Sequence, residues 1–188
     1  VNWMARRASH KNIAEVVQAL STIMRYSISS HPMATLADEA KNAEQYLLIQ
    51  KTRFRDKFEY SIDVPDPLAR IPVPKLTLQP VIENAIVHGF RDIDCRGSIR
   101  LDCKEQDGAV FVQVADNGRG MDEDRVATIF DGRTPDSETG MGLGLANVHR
   151  RLQLTFGEAF GLVVRSSPGD GTTVTIRLPV QSGSDHAV

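Results

Sequence analysis

Gln79-Pro80-Val81-Ile82-Glu83-Asn84-Ala85-Ile86-Val87-His88-Gly89 is the stretch on which the reading of the chain turns. It reads as a helix in which Glu83, Asn84 and His88 interrupt the apolar series Val81, Ile82, Ala85, Ile86 and Val87. A helix that buries most of its girth can seldom carry an amide and an imidazole without giving them partners. Those partners are either structural or a ligand, and the neighbouring sequence has to decide between them.

Upstream, Ile13, Val16, Val17, Leu20, Ile23 and Met24 recur at helical spacing between Asn12 and Ser29, a one-sided stripe suited to a hairpin or bundle. Ala8 to Lys11 is expected to turn into this helix from a preceding one, with residues 1 to 7 as its tail. His31-Pro32 breaks the pattern. Thr35, with Asp38 three residues on, resembles an N-cap, and Leu36, Ala40, Ala43, Leu47, Gln50 and Phe54 share one side of the helix that follows. Phe58 to Val64 alternates as a half-buried strand and ends at Pro65-Asp66-Pro67.

Downstream, Ser98 to Lys104 and Ala109 to Ala115 flank Gln-Asp-Gly as a hairpin, with Ile99, Leu101, Cys103, Val110, Val112 and Val114 inward. Asp116-Asn117-Gly118-Arg119-Gly120-Met121 follows directly, then a short helix ending near Phe130. Residues 131 to 141 read as a loop, Leu143 to Phe156 as a helix, and Phe160 to Ser166 and Thr172 to Leu178 as a second hairpin. Gln181 to Val188 reads as a disordered tail. Hairpins mixed with helices in this order predict an α+β fold. The expected form is a two-layer α/β sandwich whose mixed, mostly antiparallel sheet is covered by helices and preceded by a helical segment.

Composition narrows the function. A formal net charge of −2 with no Lys/Arg run offers no footprint for nucleic acid. The two cysteines, Cys95 and Cys103, match no metal spacing and fit a reducing compartment. No apolar run approaches the ~18 residues of a membrane span. Val1 is not an initiator Met and the sequence opens mid-pattern, so the chain is expected to be a fragment of a longer protein.

Three stretches can converge on a ligand: the Asn84 helix, Asp116 to Gly120 at a strand end, and Gly140-Met141-Gly142-Leu143-Gly144 leading into a helix whose positive end favours phosphate. Singly each is weak, and no P-loop exists anywhere in the chain. Together and in this order they resemble the ATP-binding (Bergerat) domain of the GHKL superfamily, which comprises gyrase, the ninety-kilodalton chaperones, histidine kinases and MutL. The likeness is strongest to YesM/LytS-type sensor histidine kinases. Leu78 to Gly89 looks like that family's N box, Asp116 to Met121 its first glycine box, and Gly140 to Leu152 its second. The likeness continues through Phe156-Gly157 and Ser167 to Thr173, and covers Leu47 to Phe54.

The resemblance implies that Asn84 gives an amide oxygen to Mg²⁺ and that Asp116 accepts a hydrogen bond from the adenine amino group. It implies that Gly118 and Gly120 leave room for the base, beside Met121, and that Thr172 assists at the adenine edge. Gly142 and Gly144 would bring backbone amides to the phosphates, with Leu143 between them and residues 131 to 141 as the lid. For His88 two readings stand, a phosphate neighbour and a helix-end histidine bonded to backbone. His10, His31, His149 and His186 share no motif and read as solvent-exposed.

The family's phosphoacceptor histidine precedes the equivalent of Asn2-Trp3-Met4-Ala5, so it is expected upstream of Val1, leaving no catalytic residue in this fragment. Residues 1–31 are then the end of a dimerisation hairpin, 32–180 the catalytic domain and 181–188 the tail. The family implies ATP and Mg²⁺ as cofactors, a response-regulator receiver domain as partner, and a homodimer in the full-length protein. It places the domain on the cytoplasmic side of a bacterial membrane sensor, attached only through the missing N-terminal part. Free ATPases of the superfamily carry a glutamate one turn before the asparagine; here that position is Pro80, and Glu83 points about 100° away. Val87, where many histidine kinases carry Lys, and the short lid keep open a GHKL ATPase or nucleotide-binding module without kinase activity.

Overall fold

The computed structural model describes residues 2–54, 57–90, 96–130 and 143–180, with residues 2–12 and 143 described by their backbone alone. The lid residues 131 to 141, Gly142 and the tail from Gln181 lie outside the described residues.

Helix α1 (Asn2–Ile28) is unbroken, so the turn expected at Ala8 to Lys11 is not there. Ala8-Ser9-His10-Lys11 contains neither Gly nor Pro, and no residue in it prevents a helix from continuing. The apolar stripe of α1 also divides. Buried Ala19 and half-buried Val16, Ile23 and Tyr26 lie on the side against α2, whereas Ile13, Val17, Leu20, Met24 and Ile28 are 50–79% exposed.

Helix α2 (Leu36–Arg53) starts where the sequence places it. The Thr35 hydroxyl accepts from the Asp38 amide at 3.1 Å, and Asp38 accepts in return from the Thr35 amide at 3.2 Å. Its side bearing Leu36, Ala40, Ala43, Leu47 and Gln50 is buried, as the spacing predicts. Two strands escaped the sequence reading. β1 (Met33–Thr35) pairs antiparallel with β3 (Pro72–Pro74), and three-residue segments carrying two prolines show no alternation to read.

The main sheet contains β2 (Phe58–Asp63), β4 (Gly97–Gln106), β5 (Ala109–Asp116), β6 (Gly161–Ser167) and β7 (Gly171–Pro179), in the order β2-β4-β5-β7-β6. β2 runs parallel to β4 and every other neighbour is antiparallel. The parallel pair requires a crossover, and helix α3 (Leu78–Asn84) lies in it. Helices α4 (Glu123–Thr128) and α5 (Leu143–Phe156) fall between β5 and β6. Leu101, Val112, Val114, Val174 and Ile176 of the sheet share one core with Leu47, Leu78, Ile82, Leu145, Val148 and Leu152 of the helices. At full burial, each such side chain contributes about 1.5–3 kcal/mol. This is the expected mixed, mostly antiparallel sheet covered by helices.

Candidate functional site

Helix α3 and the turn after it bury one broad face: Leu78, Val81, Ile82, Ala85 and Ile86 are each no more than 1% exposed and Asn84 is 9% exposed, whereas Glu83 and Val87 lie in solvent. After Asn84 the helix widens into one π turn, Ala85–Gly89, closed by the Phe90 amide donating to the Ala85 carbonyl at 3.1 Å. Such widened turns are common at functional sites because they re-aim side chains. This one ends beside a cleft enclosing about 220 Å³ of empty space, open solvent included, lined by Asn84, His88, Gly89, Arg119, Gly120, Met121 and Thr172.

Sheet register brings the second group of residues there. Asp116, the last residue of β5, pairs with Thr172, the second of β7. Asp116 Oδ1 accepts from the Gly118 amide at 2.8 Å. Burial pushes its carboxyl from 3.8 up to about 6, and the amides of Gly118 and Thr172 pull it back only in part. The carboxylate therefore has amide donors and lacks a cationic partner strong enough to restore its ordinary acidity.

Thr172 is held by a small hydroxyl network. Ser166 Oγ donates to the Gly171 carbonyl at 2.8 Å, accepts from the Met121 amide at 2.9 Å, and lies 2.8 Å from Thr172 Oγ1. Ser166 has one hydrogen and gives it to the Gly171 carbonyl, so the Thr172 hydroxyl donates to Ser166 and keeps its lone pairs as acceptors. Asp116 and Thr172 thus both present acceptors, an arrangement complementary to an amino group.

The glycines of the Asp116 turn serve close backbone approach. A Cβ on Gly118 would come within 2.5 Å of the Gly89 backbone, and one on Gly120, at φ +68°, would collide with the Ser167 carbonyl. The room they leave is taken up by the protein's own chain, at Gly89 and at Ser167. Asn117 completes the anchor: its side-chain oxygen accepts from the Ser98 amide at 2.6 Å and its nitrogen donates to the Arg96 carbonyl at 3.0 Å.

Of the residues expected at the site, Asn84, His88, Gly120, Met121 and Thr172 line the cleft, and Asp116 and Gly118 stand directly behind Gly89. Gly144 is not among the lining residues of the cleft; it sits in the first turn of α5, near Pro80 of α3. Gly142 lies outside the described residues, as does the side chain of Leu143. Sequence reasoning missed Arg119 and Gly89 as lining residues and Ser166 as the organiser of Thr172. The first two sit inside stretches already singled out, but Ser166 carries no local signal because its partners are 5, 6 and 45 residues away.

With this geometry established, comparison with known proteins is decisive. Residues 72–182 match the family model of histidine kinase-, DNA gyrase B- and HSP90-like ATPases, and residues 1–58 match a histidine kinase model. The chain belongs to the histidine kinase-type ATPase family. It is 35% identical to the sensor histidine kinase YesM of Bacillus subtilis over 97% of this chain and 30% of YesM. It is 31% identical to the sensor histidine kinase BtsS of Escherichia coli over 92% of this chain and 29% of BtsS. The chain therefore spans about 30% of the length of these curated relatives. The histidine kinase domain of a blue-light activated kinase from Erythrobacter litoralis shares the fold, with a TM-score of 0.54 at 21% identity over 93% of this chain and 82% of that one.

Other residues of this ATPase domain can now be placed. His149, expected in solvent, is half-buried; its Nδ1 accepts from the Leu162 amide at 3.0 Å and its ring stacks on Phe130 at 4.4 Å. The spacing of α5 puts it on the sheet side, which an isolated histidine does not reveal. His31 is exposed, as expected. Glu83 is exposed and faces Tyr46 of α2, whose phenol is pushed up to about 12 by burial first and by the Glu83 charge second. Val87 is 43% exposed. Among the described residues, no group of three or more His, Cys, Asp or Glu side chains could hold a metal ion.

Proposed function

We propose that this chain is the ATP-binding, catalytic part of a sensor histidine kinase, which binds Mg-ATP in the Asn84–Thr172 cleft and directs the γ-phosphate to a histidine outside this sequence. The observation that carries the reading is the pairing of two acceptors, Thr172 in the lining of the cleft and Asp116 beside it behind Gly89, with Asn84 of α3 and His88 of the π turn lining the same cleft. Two acceptors on one side select a base bearing an exocyclic amino group. A neutral amide across the cleft suits a hard cation that keeps most of its waters and is bound chiefly by phosphates.

Asn84 would hold Mg²⁺ through its amide oxygen, and the ion when bound supplies charge stabilisation to the triphosphate. Asp116 fixes the base, and Arg119 and His88 border the same opening. Gly142, Leu143 and Gly144 would carry the phosphate-binding amides, with residues 131 to 141 closing above. Phosphoryl transfer needs positioning and charge compensation rather than covalent help, and this residue set offers that. At the two positions of α3 nearest that role, a water-activating base is missing: Pro80 occupies the place of a general base, and Glu83 is turned to Tyr46. This favours transfer to an imidazole over free hydrolysis.

Residues 1–31 would be the end of the dimerisation hairpin and 32–180 the catalytic domain. The exposed Ile13, Val17, Leu20, Met24 and Ile28 supply an apolar face for the rest of that hairpin and for a second subunit. A receiver-domain aspartate of a response regulator would be the next phosphate acceptor. A sensor of this kind would be anchored in a bacterial membrane by another segment; among the described residues, no helix is long and apolar enough to cross one.

Calorimetric titration with a non-hydrolysable ATP analogue, with and without Mg²⁺, tests the reading. Saturable binding strengthened by Mg²⁺ is expected. No binding at millimolar nucleotide would refute it.

A further inference from the structure

Residues 75–78, the turn into α3, are gripped by three other helices. Glu39 of α2, 1% exposed, accepts through Oε1 from the Leu76 amide at 2.7 Å, and through Oε2 from the Thr77 and Leu78 amides at 2.7 and 2.8 Å. Thr77 gives α3 no side-chain cap, since its hydroxyl donates instead to the Pro74 carbonyl at 2.6 Å. Glu39 is therefore the N-terminal cap of α3, supplied from another helix, and its buried charge is met by the amide end of that helix.

The same carboxylate accepts a hydrogen bond from the phenol of Tyr26 on α1. Lys75 grips the end of α1 as well. Its ammonium reaches the Tyr26 and Ser29 carbonyls at 3.5 and 3.4 Å, bonds the Ser29 hydroxyl, and lies 5.2 Å from the centre of the Tyr26 ring. On the other side, the Leu76 carbonyl accepts from Arg151 Nη2 of α5 at 2.8 Å. Leu76 itself has φ +58°, a conformation unfavourable for a branched residue and kept only where its surroundings over-determine it.

We propose that Glu39 is a positioning residue for the nucleotide site. With Tyr26 and Lys75, it makes the 75–78 turn a joint through which the seating of α1 is transmitted to α3 and α5. This rests on the nucleotide reading of the cleft. A shift of α1 along α2 moves the phenol and both backbone carbonyls held by Lys75, and the turn responds as a unit. Asn84 lies six residues beyond Leu78, about 9 Å along a helix too short to bend. α5, which begins in the second glycine box, is tied to the same turn through Arg151. Coupling of this kind is reciprocal, so nucleotide in the cleft must alter the surroundings of Tyr26.

The test is fluorine NMR of the chain with its three tyrosines replaced by 3-fluorotyrosine, assigned through Tyr26→Phe and titrated with Mg²⁺ and a non-hydrolysable ATP analogue. The expected result is a shift of the Tyr26 resonance that saturates with binding. Glu39→Gln should abolish that shift and weaken the analogue roughly tenfold, and Tyr26→Phe, which leaves the three amide bonds intact, should weaken it about threefold to fivefold. Calorimetric binding with an unmoved Tyr26 resonance and unchanged affinity in Tyr26→Phe would overturn the coupling alone. Absence of binding in the unsubstituted chain would overturn the nucleotide reading and this inference with it.

Discussion

Asp116→Asn is the substitution for which the structure predicts two effects of opposite sign. Burial raises the Asp116 carboxyl from 3.8 to about 6, a shift of about two units. At about 1.4 kcal/mol per unit this corresponds to roughly 3 kcal/mol for keeping the group ionised in the folded state, reduced to about 1–2 kcal/mol by the solvent that still reaches it. A carboxyl whose folded-state value exceeds its unfolded one contributes stability below about pH 4, and that contribution is lost as pH rises through about 6. Asparagine carries no charge and keeps an acceptor oxygen for the Gly118 amide at 2.8 Å. Asp116→Asn should therefore be about 1 kcal/mol more stable than the parent at pH 7.5, with the advantage gone by pH 4. Urea unfolding at the two pH values measures this directly. Nucleotide affinity should move the other way, falling roughly 10–100-fold at pH 7.5 with the loss of a charged acceptor. In the parent chain affinity should decline by about tenfold per pH unit below 6, and in the variant it should not. A variant less stable than the parent at both pH values, or one that binds the ATP analogue unchanged, would refute the account of this carboxylate.

Asn84→Ala should remove the Mg²⁺ dependence of analogue binding while leaving the Mg²⁺-free affinity within about threefold, read by paired titrations. Gly120→Ala should destabilise the fold by more than about 3 kcal/mol, since its Cβ meets the Ser167 carbonyl at positive φ; the urea midpoint reports it. Ser166→Ala, which strips the Met121 amide and the Thr172 hydroxyl of their shared partner, should cost about 2 kcal/mol of stability and weaken adenine nucleotides more than nucleotides lacking the amino group. Incubation with radiolabelled ATP should leave this chain unlabelled; acid-labile label on one of its own histidines would contradict the assignment of the acceptor elsewhere.

Much of the fold is legible because periodicity reports burial. The α2 side from Leu36 to Gln50 and the inward residues of β4 and β5 follow directly from their spacing. The Thr35–Asp38 cap is equally local. The failures have equally physical causes. β1 and β3 are too short to alternate, β3 being two prolines around one valine, and the turn expected at Ala8–Lys11 had no breaker to enforce it. At the site, Asn84, Asp116 and Thr172 stand out through their chemistry and their order along the chain. The roles of Ser166, Glu39 and His149 do not, because each is defined by a partner that only the sheet register or helix packing brings near. The glycines of the Asp116 turn are legible as glycines, yet the atoms they make way for belong to Gly89 and Ser167, distant in sequence.

The strand order has a consequence for how the protein folds. The β4–β5 and β6–β7 hairpins close locally, but Asp116 meets Thr172 only when β5 joins β7, and α3 reaches the cleft only as part of the crossover between parallel β2 and β4. Each side of the cleft thus depends on a long-range closure, the kind of event that comes late and slowly in folding. A chain stalled with both hairpins formed would hold most of its sheet and no binding site. On the proposed reading, nucleotide would discriminate the finished domain from its compact precursors, and its stabilising effect would fall on the native state alone.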